Sequence, residues 1–316
     1  MLIVLSIRFS FGIRHSAFGI PLMSQTKHQI EALLVRAKSR PRHQFGQNFM
    51  IDQNLVRAAA DAGMLSADDC AIEVGPGTGT LTEELLDRAG QVIVVEIDRD
   101  LARLLREMFA ERKNFSLIEG DALAGKHELN QQLLAEIRSA RQAGRRVKLV
   151  ANLPYNIASP LVIEMLIAGV DLLAFTVQKE VALRLAAAPD TEDYGPLTVM
   201  ARMLARVELL RTLPPQAFWP APKIDSALVR LTRDDRLGET ARLFGTFVHQ
   251  VFSFRRKTLR RALLHAGFDA DAVLAATGLD GQKRAEEFGP EVFLRMYEVA
   301  RVTEDNRIAP KSASGL

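Results

Sequence analysis

The chain has 316 residues, 48% hydrophobic and 25% charged, with a mean hydropathy of +0.02; these globular values exclude wholesale disorder and a polytopic membrane protein, and the length suits one large domain plus a small one. A single cysteine, Cys70, excludes a disulfide framework and any multi-cysteine zinc or iron–sulfur site, which favours a reducing compartment and a cytoplasmic location. Net charge is only +3, from 41 Lys and Arg against 38 Asp and Glu, so a polyanionic partner is indicated only where the cations cluster.

Residues 1–22 are apolar, carry Arg8 and Arg14, and contain no acid. Their uninterrupted apolar runs are far shorter than the ~20 residues needed to span a bilayer. The two arginines break the continuous core of a signal peptide, although an acid-free, Arg- and Ser-containing start has some transit-peptide character. We read the segment as a disordered extension or an upstream start, with Met23 opening the functional protein.

From Asp52 onward short β-rich runs alternate with helical periods, the pattern of a parallel sheet covered by helices on both faces. Expected strands are 71–74, 91–96, 115–119, 147–151 and 172–177, followed by partly antiparallel ones at 207–210 and 226–231. Asp52 should open a helix that ends near Gly63, another should start near Leu81 and close at Gly90, and Asp98 should open a third. Leu161–Val177 is the longest later apolar run, but Glu164 and Asp171 interrupt it, so it should be a buried helix, a turn at Gly169 and a strand. Beyond Arg233 the periods are helical only, at 239–252, 255–265, 269–277 and 290–301, and 302–316 has the composition of a disordered tail. The expected organisation is a catalytic domain over 23–233 and a small all-α domain over 234–301.

The first chemical motif is Glu73-Val74-Gly75-Pro76-Gly77-Thr78-Gly79, between a strand and a helix. Glycines there let a ligand touch the backbone, and the helix N-terminus offers N–H groups to an anion. The dinucleotide fingerprint would need glycine where Thr80 stands, so the compact G-x-G-x-G form points to S-adenosylmethionine rather than a nicotinamide. Glu96 ends the second strand, placed to accept the ribose hydroxyls, and Asp121 follows the third, placed to accept an adenine amine; each alone would serve equally as a helix cap. After the fourth strand stands Asn152-Leu153-Pro154-Tyr155. An exocyclic base amine is a poor nucleophile that must be oriented: the Asn152 side-chain carbonyl and the Leu153 backbone carbonyl can accept its hydrogens while Tyr155 stacks on the base.

Together with Gln47-Asn48-Phe49-Met50, Gln178-Lys179-Glu180-Val181, Phe218-Trp219-Pro220-Ala221-Pro222-Lys223-Ile224-Asp225-Ser226 and Phe252-Ser253-Phe254-Arg255-Arg256-Lys257, these motifs resemble those of the small-subunit ribosomal RNA adenine-N6,N6-dimethyltransferases, in the same order, over 42–301. The resemblance implies an α/β class I S-adenosylmethionine-dependent methyltransferase with a Rossmann-like sheet and a small C-terminal all-α domain. It implies dimethylation of two adjacent adenines in the 3′-terminal hairpin of 16S rRNA inside an immature 30S subunit. A monomer is expected, and neither the short apolar runs nor any histidine–acid constellation calls for a membrane or a metal. By the same resemblance Asn48 and Met50 cover the methionine end of the cofactor, Gly75 and Gly77 touch its backbone side, Glu96 holds the ribose and Asp121 the adenine. Asn152 serves both cofactor and amine, and Phe218 stacks on the adenine opposite Tyr155. Met50 departs from the usual leucine, a volume-conserving change.

Two basic clusters mark the RNA side. Residues 255–261 carry five cations in seven positions, of which Arg255, Arg256, Lys257 and Arg260 are the expected phosphate contacts, and the leading segment carries Lys27, Arg36, Lys38, Arg40 and Arg42 against Glu31. Residues 126–146 form a longer basic connection, expected as a solvated helix rather than an RNA contact. His249, His265 and Trp219 are expected to pack or lie on the surface. Competing readings are a 23S rRNA adenine methyltransferase of the antibiotic-resistance type, an adenine-N6 DNA methyltransferase, and an assembly checkpoint that binds the immature subunit with methylation incidental.

Overall fold

The computed structural model describes residues 25–42, 46–125 and 128–308, with side chains described as far as Val302. The extension expected at 1–22 and the last part of the expected tail, 309–316, lie outside these residues. In chain order the elements are α1 (Lys27–Arg36), β1 (Phe49–Met50), α2 (Gln53–Ala62), β2 (Asp69–Val74), α3 (Thr80–Arg88), β3 (Gln91–Glu96), α4 (Arg99–Met108), β4 (Phe115–Glu119), α5 (Gln131–Gln142), β5 (Arg146–Asn152), α6 (Ala158–Ile167), β6 (Leu172–Gln178), α7 (Lys179–Ala186), α8 (Pro196–Leu204), β7 (Ala205–Leu213), β8 (Phe218–Trp219) and β9 (Ser226–Arg233). Four helices close the chain: α9 (Ala241–Phe252), α10 (Leu259–His265), α11 (Ala270–Thr277) and α12 (Pro290–Ile308).

The seven-stranded sheet has the order β4-β3-β2-β5-β6-β9-β7. Its first five members run parallel, and β9 and β7 close the edge antiparallel. Alternation along each strand feeds two cores: Ile93 and Val95 pack on one face with Leu133, Leu161 and Phe175, while Val92 and Val94 pack on the other with Leu55, Ala59 and Leu85. Chain order reverses between β2 and β5, and at such a switch point the loops diverge and leave a crevice beyond the carboxyl ends of the strands. Caps set the neighbouring helices: Asp52 accepts the N–H groups of Asn54 and Leu55, and Asp98 accepts that of Asp100.

The four closing helices carry no strand between them, and their aromatic residues continue the core of the sheet's first face. Phe244, Phe252, Phe293 and Tyr297 belong to the same buried cluster as Leu149 and Phe175, and the Tyr194 hydroxyl donates to the Phe288 carbonyl at 2.7 Å. Two expectations need correction. The helix expected over 255–265 begins only at Leu259: the chain turns first, with Arg255 N–H on Phe252 O and Lys257 N–H on Phe254 O, before extended Thr258 caps α10. The last helix runs to Ile308 rather than stopping at Arg301, because nothing before Pro310 removes a backbone donor or breaks the helix.

The basic stretch after β4 forms α5, with Leu133, Ile137 and Ala140 buried. Three of its cations turn to the protein itself. Arg141 donates to the Gly169 carbonyl, Arg145 to the Ala67 carbonyl, and Arg146 lies 3.2 Å from the Asp69 carboxylate.

Candidate functional site

A cavity at the switch point is lined by Asn48, Phe49, Met50, Glu73, the turn from Gly75 to Thr78, Glu96, Ile97, Asn152 and Pro154. The turn needs its glycines: Gly75, Gly77 and Gly79 have φ of +71°, +60° and +84°, which L side chains adopt only with strain. A Cβ on Gly77 would also sit 2.7 Å from the Phe49 ring, and one on Gly75 3.1 Å from Pro154. No side chain caps α3, whose N-cap is Gly79, so its first N–H groups present a partial positive charge to the turn. Gln25, 53 residues away, clamps this turn by donating to the Thr78 carbonyl at 2.9 Å and accepting the Thr78 hydroxyl at 2.6 Å.

Two buried acids flank the turn. Glu73 is 2% exposed, accepts the Thr82 hydroxyl at 2.6 Å, and is pushed up to about 8 by burial, with the nearby Glu96 adding to the rise. Glu96 is 3% exposed and is pushed up to about 7, chiefly by burial, against the pull of backbone N–H groups at Asp98, Gly77 and Ile97. Both acids sit where a bound polar group with its own donors would restore their charge.

Across the crevice, Asn152 ends β5. Its Nδ2 donates to the Asn48 carbonyl at 2.6 Å, and its Oδ1 accepts the Thr176 hydroxyl. The next peptide is held too, since Leu153 N–H donates to Thr176 O at 3.3 Å. The Tyr155 hydroxyl pairs with Ser226 Oγ at 2.7 Å, which fixes the ring of a half-buried side chain. Strands β1 and β8 pair as a small ribbon, Phe49 opposite Trp219 and Met50 opposite Phe218, so two distant motifs meet beside the turn. Trp219 packs, as expected, stacking on Phe49 with the Lys27 ammonium 5.7 Å from its ring, and His265 stacks on Phe254.

The sequence of residues 38–301 matches the family described as ribosomal RNA adenine dimethylase. Among curated proteins, the chain is 40% identical over 264 residues to ribosomal RNA small subunit methyltransferase A of Pseudomonas putida, covering 82% of this chain and 94% of that one. It is 37% identical to the protein of the same name from Clostridium botulinum, covering 80% of this chain and 91% of that one. The chain belongs to the ribosomal RNA adenine dimethylase family. Among solved structures, that of the 23S rRNA methyltransferase ErmE is 30% identical with a TM-score of 0.58, covering 80% of this chain and 100% of that one. A dimethyladenosine transferase from Plasmodium falciparum shares the fold at 23% identity and a TM-score of 0.63, covering 82% and 98%. As a member of this family the chain is a class I S-adenosylmethionine-dependent rRNA methyltransferase.

The residues present suit that cofactor: a cradle that any Cβ would fill at Gly77, an uncapped helix N-terminus for a carboxylate, and a buried acid for hydroxyl donors. Of the residues expected to bind it, Asn48, Met50, Gly75, Gly77, Glu96 and Asn152 line one cavity. Asp121 does not. Its Oδ1 accepts the Leu123 N–H at 3.0 Å, and it borders a second cavity of about 830 Å³ that runs along α6 between α8 and α9. Phe218 is only 2% exposed and packs among Met50, Leu55, Leu213 and Leu228 rather than lining the crevice.

The expected RNA contacts divide. Arg255 is 3.2 Å from Glu286, and Arg260 is 2.5 Å from Asp271, whereas Arg256 and Lys257 are exposed on the turn before α10. In the leading segment Arg42 bridges Asp98 and Asp100 at 3.3 and 2.9 Å, and Arg36 pairs with Glu107 at 3.2 Å. Among the described residues no cluster of His, Cys, Asp or Glu is placed to hold a metal ion, and no helix is long and apolar enough to cross a membrane.

Proposed function

We propose that the chain dimethylates N6 of two adjacent adenines in the 3′-terminal hairpin of 16S rRNA, acting as a cytoplasmic monomer on the immature 30S subunit. The observation that carries this reading is the meeting, at one switch point, of the glycine turn after β2, Glu96 after β3 and Asn152-Leu153-Pro154-Tyr155 after β5. The greater identity to small-subunit enzymes than to the 23S enzyme favours the 16S acceptor.

S-adenosylmethionine, when bound, would supply an electrophilic methyl group for in-line attack by the amine, with S-adenosylhomocysteine as the leaving group. The work of the protein is to hold and to aim. Gly75 and Gly77 admit the cofactor against the backbone, Glu96 accepts the ribose hydroxyls, and Asn48 and Met50 close over the methionine end. The Asn152 Oδ1 and the Leu153 carbonyl accept the hydrogens of the adenine amine and turn its lone pair toward the methyl, while Tyr155 stacks on the base. The methylated nitrogen sheds its proton to water, so no strong base and no metal are required. The helical segment over 234–301 serves as the RNA-holding domain beside a catalytic domain over 23–233, with Arg256 and Lys257 on the phosphate side and Arg255 and Arg260 braced by Glu286 and Asp271.

Incubation with labelled cofactor and unmethylated 30S particles, free rRNA, 50S particles or DNA tests the proposal. Label should enter the 30S particles, in dimethyladenosine. Label in 50S particles or in DNA would replace it with one of the competing enzymes. A deletion strain whose growth is rescued by a variant unable to bind cofactor would instead show the checkpoint role.

A further inference from the structure

We propose that Thr176 is a positioning residue that locks the Asn152 amide in the orientation needed to accept the amine hydrogen; this rests on the assignment of Asn152 to the acceptor amine. Asn152 and Thr176 are direct partners in the parallel register of β5 and β6, so their side chains leave the sheet side by side on one face. Thr176 is fully buried, at 0% exposure, and its hydroxyl donates to Asn152 Oδ1.

Each end of the amide meets a partner that accepts only one arrangement. The Asn48 carbonyl is an acceptor without a hydrogen, so the group 2.6 Å from it must be Nδ2, the amide's donor end. Oδ1 then faces Thr176, whose hydroxyl holds a proton to give. Rotating the amide by half a turn would set Oδ1 against the Asn48 carbonyl, two acceptors at close range, and would cost the bond from Nδ2. The hydroxyl uses one lone pair of Oδ1 and leaves the second for a substrate hydrogen. The Asn48 carbonyl lies outside the seven-stranded sheet, in the residue before the β1–β8 ribbon, so the buried hydroxyl on β6 is the sheet's own constraint on the amide. The backbone of Thr176 adds to this by accepting the Leu153 N–H at 3.3 Å, which sets the second carbonyl of the pair. One β6 residue thus fixes both acceptors, by its side chain and by its main chain.

The side chain's part is separable, because valine has the shape of threonine without the hydroxyl and serine keeps the hydroxyl. Thr176→Val should lower the single-turnover methyl-transfer rate at saturating RNA and cofactor by about tenfold, the scale expected when a reacting group is slightly misaimed, with both dissociation constants unchanged. Thr176→Ser should stay within about twofold of wild type on the same principle of restored aim. In the second arm, the Asn152 side-chain NH₂ resonances, assigned by their loss in Asn152→Asp, should shift and broaden in Thr176→Val but not in Thr176→Ser. Unaltered resonances in Thr176→Val, an unaltered rate, or equal defects in the two variants would each overturn the proposal. Rates are compared on whichever acceptor the wild-type enzyme labels, so a wrong choice of RNA shows as a wild-type failure, while the resonances report on Thr176 without any acceptor.

Discussion

Glu96 Oε1 accepts the backbone N–H of Asp98 at 2.8 Å, inside a crevice where Glu96 is 3% exposed. One acid thus ties the end of β3 to the start of α4, yet burial still pushes its carboxyl up to about 7. Since the ribose hydroxyls prefer the carboxylate as acceptor, binding should release a proton from Glu96. Cofactor affinity should rise as the pH climbs from 6 to 8, by up to about tenfold per pH unit for one proton, and then level off. Calorimetry at several pH values checks the slope, which should flatten in Glu96→Gln. At pH 8, Glu96→Ala should cost roughly 1.5–3 kcal/mol of binding, and an unchanged dissociation constant in a folded variant would remove Glu96 from the site.

Glu73 carries the opposite message, about stability. Its carboxyl is raised by burial from 4.5 to about 8, so between those values the folded chain holds a proton that the unfolded chain has lost. Stability from this group is therefore fully present below the unfolded value and drains away as pH rises toward the folded one. Glu73→Gln keeps an acceptor for the Thr82 hydroxyl without the titration. In the cofactor-free protein it should raise the melting temperature at pH 8 by about 2 °C or more, with little change at pH 5. A melting temperature shift independent of pH would show that burial is not what governs Glu73.

Much of this site was legible because its signals are local. A glycine turn flanked by a strand and a helix, an acid at a strand's end, and a proline-stiffened tetrapeptide each announce their conformation within a few residues, and the alternation of short strands with helical segments from β2 to β6 announced the two-sided sheet. The contacts that complete the site are not local. Gln25 reaches Thr78 across 53 residues and Asn152 reaches the Asn48 carbonyl across 104; no periodicity encodes such pairs. The ribbon that sets Met50 opposite Phe218 is two residues long on each side, too short for a strand pattern to register. The pairing of charges is not local either. Arg255, Arg260 and Arg42 looked alike in sequence, but acids brought in by folding, Glu286, Asp271 and Asp98, engage them.

Asn152→Ala should reduce the single-turnover rate by about a hundredfold while leaving RNA affinity nearly intact, because it removes an acceptor that aims the amine and no contact to the phosphate backbone. Asn152→Asp should fare no better: its carboxylate would face the Asn48 carbonyl, where the amide now donates at 2.6 Å. Single-turnover rates beside filter-binding titrations of the same preparations separate aim from affinity. A defect confined to binding would move Asn152 out of the catalytic pair.

The turn before α10 offers the cleanest test of how the particle is held. Arg255 braces Glu286 at 3.2 Å, so its replacement mixes folding with docking, whereas Arg256 and Lys257 are exposed on a turn whose backbone bonds do not depend on their side chains. If both meet phosphates, Arg256→Gln with Lys257→Gln should weaken 30S binding and lower the salt dependence of that binding by up to ~0.9 log units per lost contact on the duplex scale. Cofactor affinity and the melting temperature should not move, and the loss should be the same whether the target adenines are present or replaced, since phosphate contacts carry no base identity. Arg255→Gln alone should instead lower the melting temperature, by about 1 °C or less for a half-exposed pair. Titrations at several salt concentrations, run beside thermal melts, tell these apart. An unchanged salt slope in the double variant would take the RNA away from this turn and leave the cations there as solvating charge on a helix junction.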